Sequence, residues 1–100
     1  MEINELYDIF RKCGKVATDS RKVAGGELFF ALKGENFDGN LYAAKALEAG
    51  AAYAVVDADS QAVESVGAYI DSSGRSRIIP VPYTLETLQA LARHHRENVR

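Results

Sequence analysis

Two short apolar runs, Leu28-Phe29-Phe30-Ala31-Leu32 and Tyr53-Ala54-Val55-Val56-Asp57, constrain this chain more than any other feature. Neither alternates polar with apolar residues, as a strand with one wet face would, so both read as strands covered on both faces. Between them, residues 40–49 are rich in alanine (Ala43, Ala44, Ala46, Ala49), carry Leu41 and Leu47, and stop at Gly50. Alanine is the strongest helix former, and its small side chain lets a helix lie close against a sheet. Strand, helix and strand within about thirty residues make a βαβ unit, with parallel strands and a right-handed crossover. The expected fold class is therefore α/β, a small mixed or parallel sheet with flanking helices.

The rest of the chain fits around that unit. Leu6, Ile9, Phe10 and Cys13 recur at i, i+3, i+4 and i+7, which predicts an amphipathic helix with Asn4 as N-cap and Gly14 as its stop. Val16 to Ser20 leans towards strand, and Gly25-Gly26 makes a turn. Beyond Asp57, the residues Val63, Val66 and Ile70 suggest one short helix, and Asp71 to Ser76 have the composition of a flexible loop. Ile78 to Val81 form a short strand that Pro80 assigns to a sheet edge, because proline lacks a ladder donor. Thr84 is expected to cap a last helix with Leu85, Leu88, Leu91 and Ala92 on one face. Glu86 in its first turn and Arg93, Arg96 and Arg100 near its end complement the helix dipole.

One hundred residues suit one domain, 1–100, and 47% apolar with 26% charged residues suits a packed core. A net charge of −2 excludes non-specific nucleic-acid binding, which needs a basic surface. A single cysteine, Cys13, allows no internal disulfide and reads as a small buried hydrophobe. The start lacks a basic and then apolar leader, and no window approaches the roughly 20 apolar residues of a membrane helix. A cytoplasmic monomer that does not associate with membranes is expected.

Catalytic patterns are missing. There is no phosphate-binding Gly-Lys-Ser/Thr loop, no Gly-x-Gly-x-x-Gly, no nucleophile elbow and no zinc spacing. His94 and His95 are adjacent, so on a helix they point about 100° apart and do not converge on a metal. They read as one edge-packed and one solvated imidazole. Asp57 and Asp59 lie at a strand end and read as a solvated loop in preference to an acid/base pair. No catalytic residue, metal site or cofactor is predicted for this chain. The remaining candidate runs from Ala17 to Asn40. It sets the hydroxyl of Ser20 at a strand end, then a glycine-flanked loop that leads into a helix. Hydroxyls and free backbone N–H groups of that kind suit a nucleotide base or a diphosphate, and Phe37 suits a flat ring. On local physics alone, a strand, a turn and a helix cap without any ligand explain the same residues at least as well.

The strings Thr18-Asp-Ser-Arg, Gly26-Glu-Leu-Phe-Phe-Ala-Leu-Lys-Gly-Glu-Asn-Phe-Asp-Gly and Ala46-Leu-Glu-Ala-Gly-Ala-Ala-Tyr-Ala-Val-Val resemble, in order and spacing, the amino-terminal domain of the Mur ligases. These are ATP-dependent amide-bond-forming enzymes of peptidoglycan synthesis, and so of cell-wall growth, cell shape and division. Leu85-Glu-Thr-Leu-Gln-Ala-Leu-Ala is similar to the helix before the family's ATPase domain. The central string looks most like the MurF branch, which adds D-alanyl-D-alanine to UDP-MurNAc-tripeptide. MurE, which adds the third residue, is the near alternative. A non-enzymatic interaction module with the same fold is the alternative from another class.

The resemblance implies a division of labour. The first domain holds the UDP end of the UDP-MurNAc-peptide, the central domain binds ATP and magnesium, and the third receives the incoming amino acid or dipeptide. An acyl-phosphate forms on the peptide carboxylate before the amine attacks. Carried onto this sequence, Thr18 and Ser20 touch the uridine diphosphate, and Glu35, Asn36 and Phe37 form the uridine-contacting loop. Asp19, Arg21 and Asp38 act as scaffold, and Gly34 and Gly39 as backbone permissions. Asn40 departs from the histidine or arginine common in relatives. The central and carboxyl-terminal domains are expected beyond Arg100, the end in mid-helix is expected to be a cut at a domain boundary, and the 100-residue chain alone is expected to be inactive.

Overall fold

In the computed structural model, which describes residues 2–34, 38–65 and 67–98, four strands form one sheet in the order β1-β2-β3-β4. They are β1 (Val16–Ala17), β2 (Leu28–Phe30), β3 (Tyr53–Asp57) and β4 (Ile78–Val81). All three pairings are parallel, so the sheet is purely parallel and not mixed. As expected, Pro80 lies on an edge strand, β4, opposite Val56.

Both faces of the sheet are covered, which explains the unbroken apolar runs. Leu28, Phe30, Val55, Ile79 and Val81 point to one face, against Leu6, Tyr7 and Ile9 of α1 (Ile3–Cys13) and Leu91 of α3 (Thr84–Asn98). Phe29, Ala31, Ala54, Val56 and Ile78 point to the other, against Ala43, Ala46 and Leu47 of α2 (Ala43–Glu48). Phe29, Ala54 and Ile78 lie in one row across the sheet. A large ring at one end of that row is accommodated by alanines around it, the alternation of large and small that close packing demands. β2 ends two residues before its apolar run does. Leu32 N–H turns back to Phe30 O at 3.1 Å, and the chain leaves the sheet.

Several helix boundaries differ from expectation. α1 starts at Ile3, so Asn4 is inside the first turn and not its cap; Glu2 flanks the helix and makes no side-chain cap. Ile3 packs against the core, and that burial draws the helix two residues earlier. Gly14 stops it as expected, at φ 79° with its N–H on Phe10 O. The helix expected over 40–49 is split. Gly39–Tyr42 is a tight 3-10 turn, capped by Asp38, whose carboxylate accepts from Asn40 N–H at 3.0 Å, and only then does α2 begin.

In the 57–77 stretch, Gln61–Ser65 forms a 3-10 turn, Val66 lies outside the described residues, and Ile70 bridges Ser76 in antiparallel fashion instead of joining a helix. The loop expected to be flexible is tied together by one carboxylate. Asp71 accepts from Ser73 N–H, Ser73 Oγ, Arg75 N–H and the Tyr53 hydroxyl. The Ser73 hydroxyl first, and then Tyr53, hold the Asp71 carboxyl far below the usual range. Arg77 then donates to the carbonyls of Ala51 (2.7 Å) and Ala52 (3.0 Å), fastening the end of the α2 segment to β4.

Thr84 does not cap α3. It is the first residue of that helix, and its hydroxyl donates to Ala31 O at 2.9 Å, while Asp57 Oδ1 accepts from Thr84 N–H at 3.1 Å. Thr84 therefore takes an inward position, and Leu88, Leu91 and His95 follow it at helical spacing. That phase turns Leu85 (53% exposed) and Ala92 outward, contrary to the face expected from the leucines. The histidines also differ from expectation, because both pack on α1. Tyr7 Oη and His95 Nδ1 are 3.1 Å apart, and the His94 ring stands edge-on to Tyr7 at 4.7 Å. Cys13 is half-buried beside the same core, and burial pushes its thiol upward, as a structural cysteine requires. No helix among the described residues is long and apolar enough to cross a membrane.

Candidate functional site

Parallel strands bring all their carboxyl ends to one edge, and ligands of α/β sheets are characteristically held outside that edge. Here each of the first three strands ends there in a tight polar turn. After β1, Thr18 is exposed and Asp19 is extended (φ −125°, ψ 116°), capping the 3-10 turn Ser20–Lys22. One Asp19 oxygen accepts from Arg21 N–H at 2.9 Å and from Arg21 Nε at 3.1 Å, and the other accepts from Arg21 Nη2 at 3.0 Å. The Arg21 guanidinium bound in this way pushes the Asp19 carboxyl down to about 2, and Asp19 in turn raises Arg21. The Arg21 side chain nevertheless stays 87% exposed, so its charge faces solvent at the mouth of the site.

A cavity of about 440 Å³ opens here, lined by Thr18, Asp19, Ser20, Arg21 and Tyr42. The structure thus brings together Thr18 and Ser20, the two hydroxyls singled out from the sequence, with Asp19 and Arg21 beside them. Tyr42 was missed by sequence reasoning. It sits where an alanine-rich helix was expected to start, and the available signal was a large aromatic ring at the head of that alanine-rich stretch.

Glu35, Asn36 and Phe37 lie outside the described residues. Their loop is closed at its neck by an antiparallel bridge between Lys33 and Asp38. The two glycines of that loop differ. A Cβ on Gly39 would lie 2.8 Å from Leu32 O and 2.9 Å from Leu32 N, so glycine is required there by close backbone approach. Gly34 has no positive φ and nothing within 4 Å of such a Cβ, so the backbone permission expected of it is not needed.

Asp38 and Asn40 belong to a second cavity, of about 270 Å³, with Lys33, Asp57 and Asp59 on its walls. Asp57 is not the solvated loop residue expected. Its carboxylate accepts from Asn40 Nδ2 at 2.9 Å as well as from Thr84 N–H, and Asn40 Oδ1 accepts from Asp57 N–H at 2.9 Å. Asp59 is exposed, as expected. Asn40 is 6% exposed and also donates to Asp38 at 2.8 Å, so it serves the fold. Among the described residues no three metal-ligating side chains converge.

A parallel sheet with polar turns at its carboxyl edge is common to many α/β proteins, and sequence comparison separates them. The model described as "Mur ligase family, catalytic domain" matches residues 13–96. The chain belongs to the Mur ligase family. The match to the Mur ligase model starts at Cys13, at the end of α1, and ends inside α3, so it contains the whole sheet and both cavities. Over 56 residues the chain is 41% identical to the UDP-N-acetylmuramoyl-tripeptide–D-alanyl-D-alanine ligase of Synechocystis, covering 56% of this chain and 12% of that protein. Over 93 residues it is 33% identical to the UDP-N-acetylmuramoyl-L-alanyl-D-glutamate–2,6-diaminopimelate ligase of Syntrophomonas wolfei, covering 91% of this chain and 17% of that one. The structure is also similar to that of MurF ligase from Thermotoga maritima in complex with ADP, with a TM-score of 0.67 and 27% identity over 91% of this chain and 18% of the other. The chain thus spans less than a fifth of the length of each of these Mur ligases.

Proposed function

We propose that this chain is the substrate-holding, amino-terminal domain of a MurF-type ligase, and that the cavity of Thr18, Ser20 and Arg21 takes the UDP end of UDP-MurNAc-tripeptide. The observation that carries this reading is the convergence of two hydroxyls and one exposed guanidinium on a single cavity at the carboxyl edge of a parallel sheet. Hydroxyls hydrogen-bond ribose or phosphate oxygens, and a guanidinium matches phosphate with two parallel N–H bonds. Asp19 holds Arg21 in a fixed pose, which lowers the entropy lost when an anion is bound.

Activation of the peptide carboxylate belongs, on this reading, to further domains of a longer enzyme. The sequence has no phosphate-binding loop for ATP and no convergent acidic set for magnesium among the described residues. The chain's own share is to hold and orient the nucleotide handle, in a cytoplasmic enzyme of peptidoglycan synthesis. MurE is the second reading, favoured by the 33% identity to the diaminopimelate ligase over nearly the whole chain. Both readings predict the same UDP site and differ in the peptide acceptor.

Titration calorimetry with UDP and with UDP-MurNAc-tripeptide tests the proposal. Saturable binding of both, weakened by Ser20→Ala and by Arg21→Ala, is the expected result. Wild-type affinity in both variants would move the site elsewhere, and binding of neither ligand would refute the assignment.

A further inference from the structure

We propose that Tyr42 is a binding residue of this cavity, the wall on which the base of a bound nucleoside diphosphate stacks. The inference rests on the UDP reading above and adds to it the group that holds the base. Three observations carry it. First, the 3-10 turn Gly39–Tyr42 sorts its side chains between the two cavities. Successive residues of such a turn point about 120° apart. Asn40 and Leu41 line the second cavity, and Tyr42 lines the first.

Second, the other described residues lining the first cavity are two hydroxyl residues and the Asp19–Arg21 ion pair. These satisfy phosphate and sugar oxygens, and among the described lining residues they offer a flat, weakly polar base no surface to stack on. Tyr42 is the aromatic member of the set, and at 37% exposed it still has ring surface to bury. Third, the ring stands on a rigid mount. Tyr42 leads directly into α2, whose first residue, Ala43, is 1% exposed and packed against the sheet. A base docking on it therefore immobilises little that is not already ordered.

The test is a titration of the whole chain with UDP, using the wild type, Tyr42→Phe, Tyr42→Leu, Tyr42→Ala and, as a distant control, the exposed tyrosine variant Tyr83→Ala. Loss of one base–aromatic stack weakens binding by about tenfold or more. Tyr42→Ala and Tyr42→Leu are expected to raise the Kd by that factor, with Tyr42→Phe and Tyr83→Ala within about twofold of wild type. In the complex the uracil H5 and H6 resonances should move upfield from ring current, and this shift should vanish in Tyr42→Leu, whose near-native volume keeps the wall filled. Unchanged Kd in Tyr42→Leu and Tyr42→Ala overturns the proposal while leaving the UDP site standing. A loss in Tyr42→Phe equal to that in Tyr42→Ala also overturns it, in favour of the hydroxyl. No UDP binding by the wild type overturns both readings.

Discussion

Asn40 and Asp57, seventeen positions apart, close a two-bond ring at the carboxyl edge of the sheet: Asp57 N–H donates to Asn40 Oδ1 and Asn40 Nδ2 donates to Asp57 Oδ2, each at 2.9 Å. The remaining oxygen of Asp57 accepts from Thr84 N–H at the start of α3. One side-chain pair therefore joins the turn after β2, the end of β3 and the first turn of the last helix. Asn40→Ala leaves the Asp57 N–H and Asp57 Oδ2, both part-buried, without this partner, which costs about 1–3 kcal/mol. Urea unfolding should show that loss, and Asn40→Asp should be no better, because it sets a carboxylate against Asp57.

The two loop glycines should respond in opposite ways. Gly39→Ala forces a methyl group against the backbone of Leu32 and Ala31 and should destabilise by about 1–3 kcal/mol, as overpacking does. Gly34→Ala meets open space at ordinary φ and should leave stability unchanged or raise it by up to about 1 kcal/mol. Thermal unfolding of the two variants side by side separates them.

Ala46 is fully buried where α2 lies on the sheet beside Phe29 and Ala54. Ala46→Leu should lift that helix and lower stability by about 1–3 kcal/mol, although leucine is nearly as good a helix former. A melting temperature equal to wild type would mean that the α2 face holds spare volume.

Asp19 should titrate low, near pH 2, by carbon-detected NMR of its carboxyl. Its folded value lies below the ordinary 3.8, so the Arg21 pairing stabilises the fold above pH ~4 and is lost as pH falls through about 2. Arg21→Ala should return the carboxyl towards its ordinary range. Under the proposed function the same variant weakens UDP binding, so the two effects can be measured together.

Much of this architecture was legible before any coordinates. β3 runs from Tyr53 to Asp57 as read, because a β-branched run ended by an aspartate and a polar turn has few alternatives. Gly14 ends α1 and Pro80 marks an edge for equally local reasons. Of the face expected for α3, Leu88 and Leu91 pack on the core and Leu85 and Ala92 do not, a phase hidden in the sequence because leucines outnumber threonine on any hydrophobic count. What sets its phase is the bond from Thr84 to Ala31 O, across 53 positions of chain. Asp71 looked like part of a loose polar loop until its carboxylate met Tyr53 on β3.

The candidate site divides along the same line. Thr18, Ser20 and Arg21 follow one another in the chain, so their proximity was determined by the sequence alone, and the long ordered match to the Mur ligases came from that same text. Tyr42 joins them only because β1 and β2 run parallel and the 3-10 turns that follow them, Ser20–Lys22 and Gly39–Tyr42, share one edge of the sheet, the phase of the second selecting which side chain faces which cavity. Local order and composition depend on neighbours in sequence, and they determined the elements and the family. Which groups face one another depends on helix phase, close glycine contacts and long-range hydrogen bonds, and these exist only once the sheet has formed.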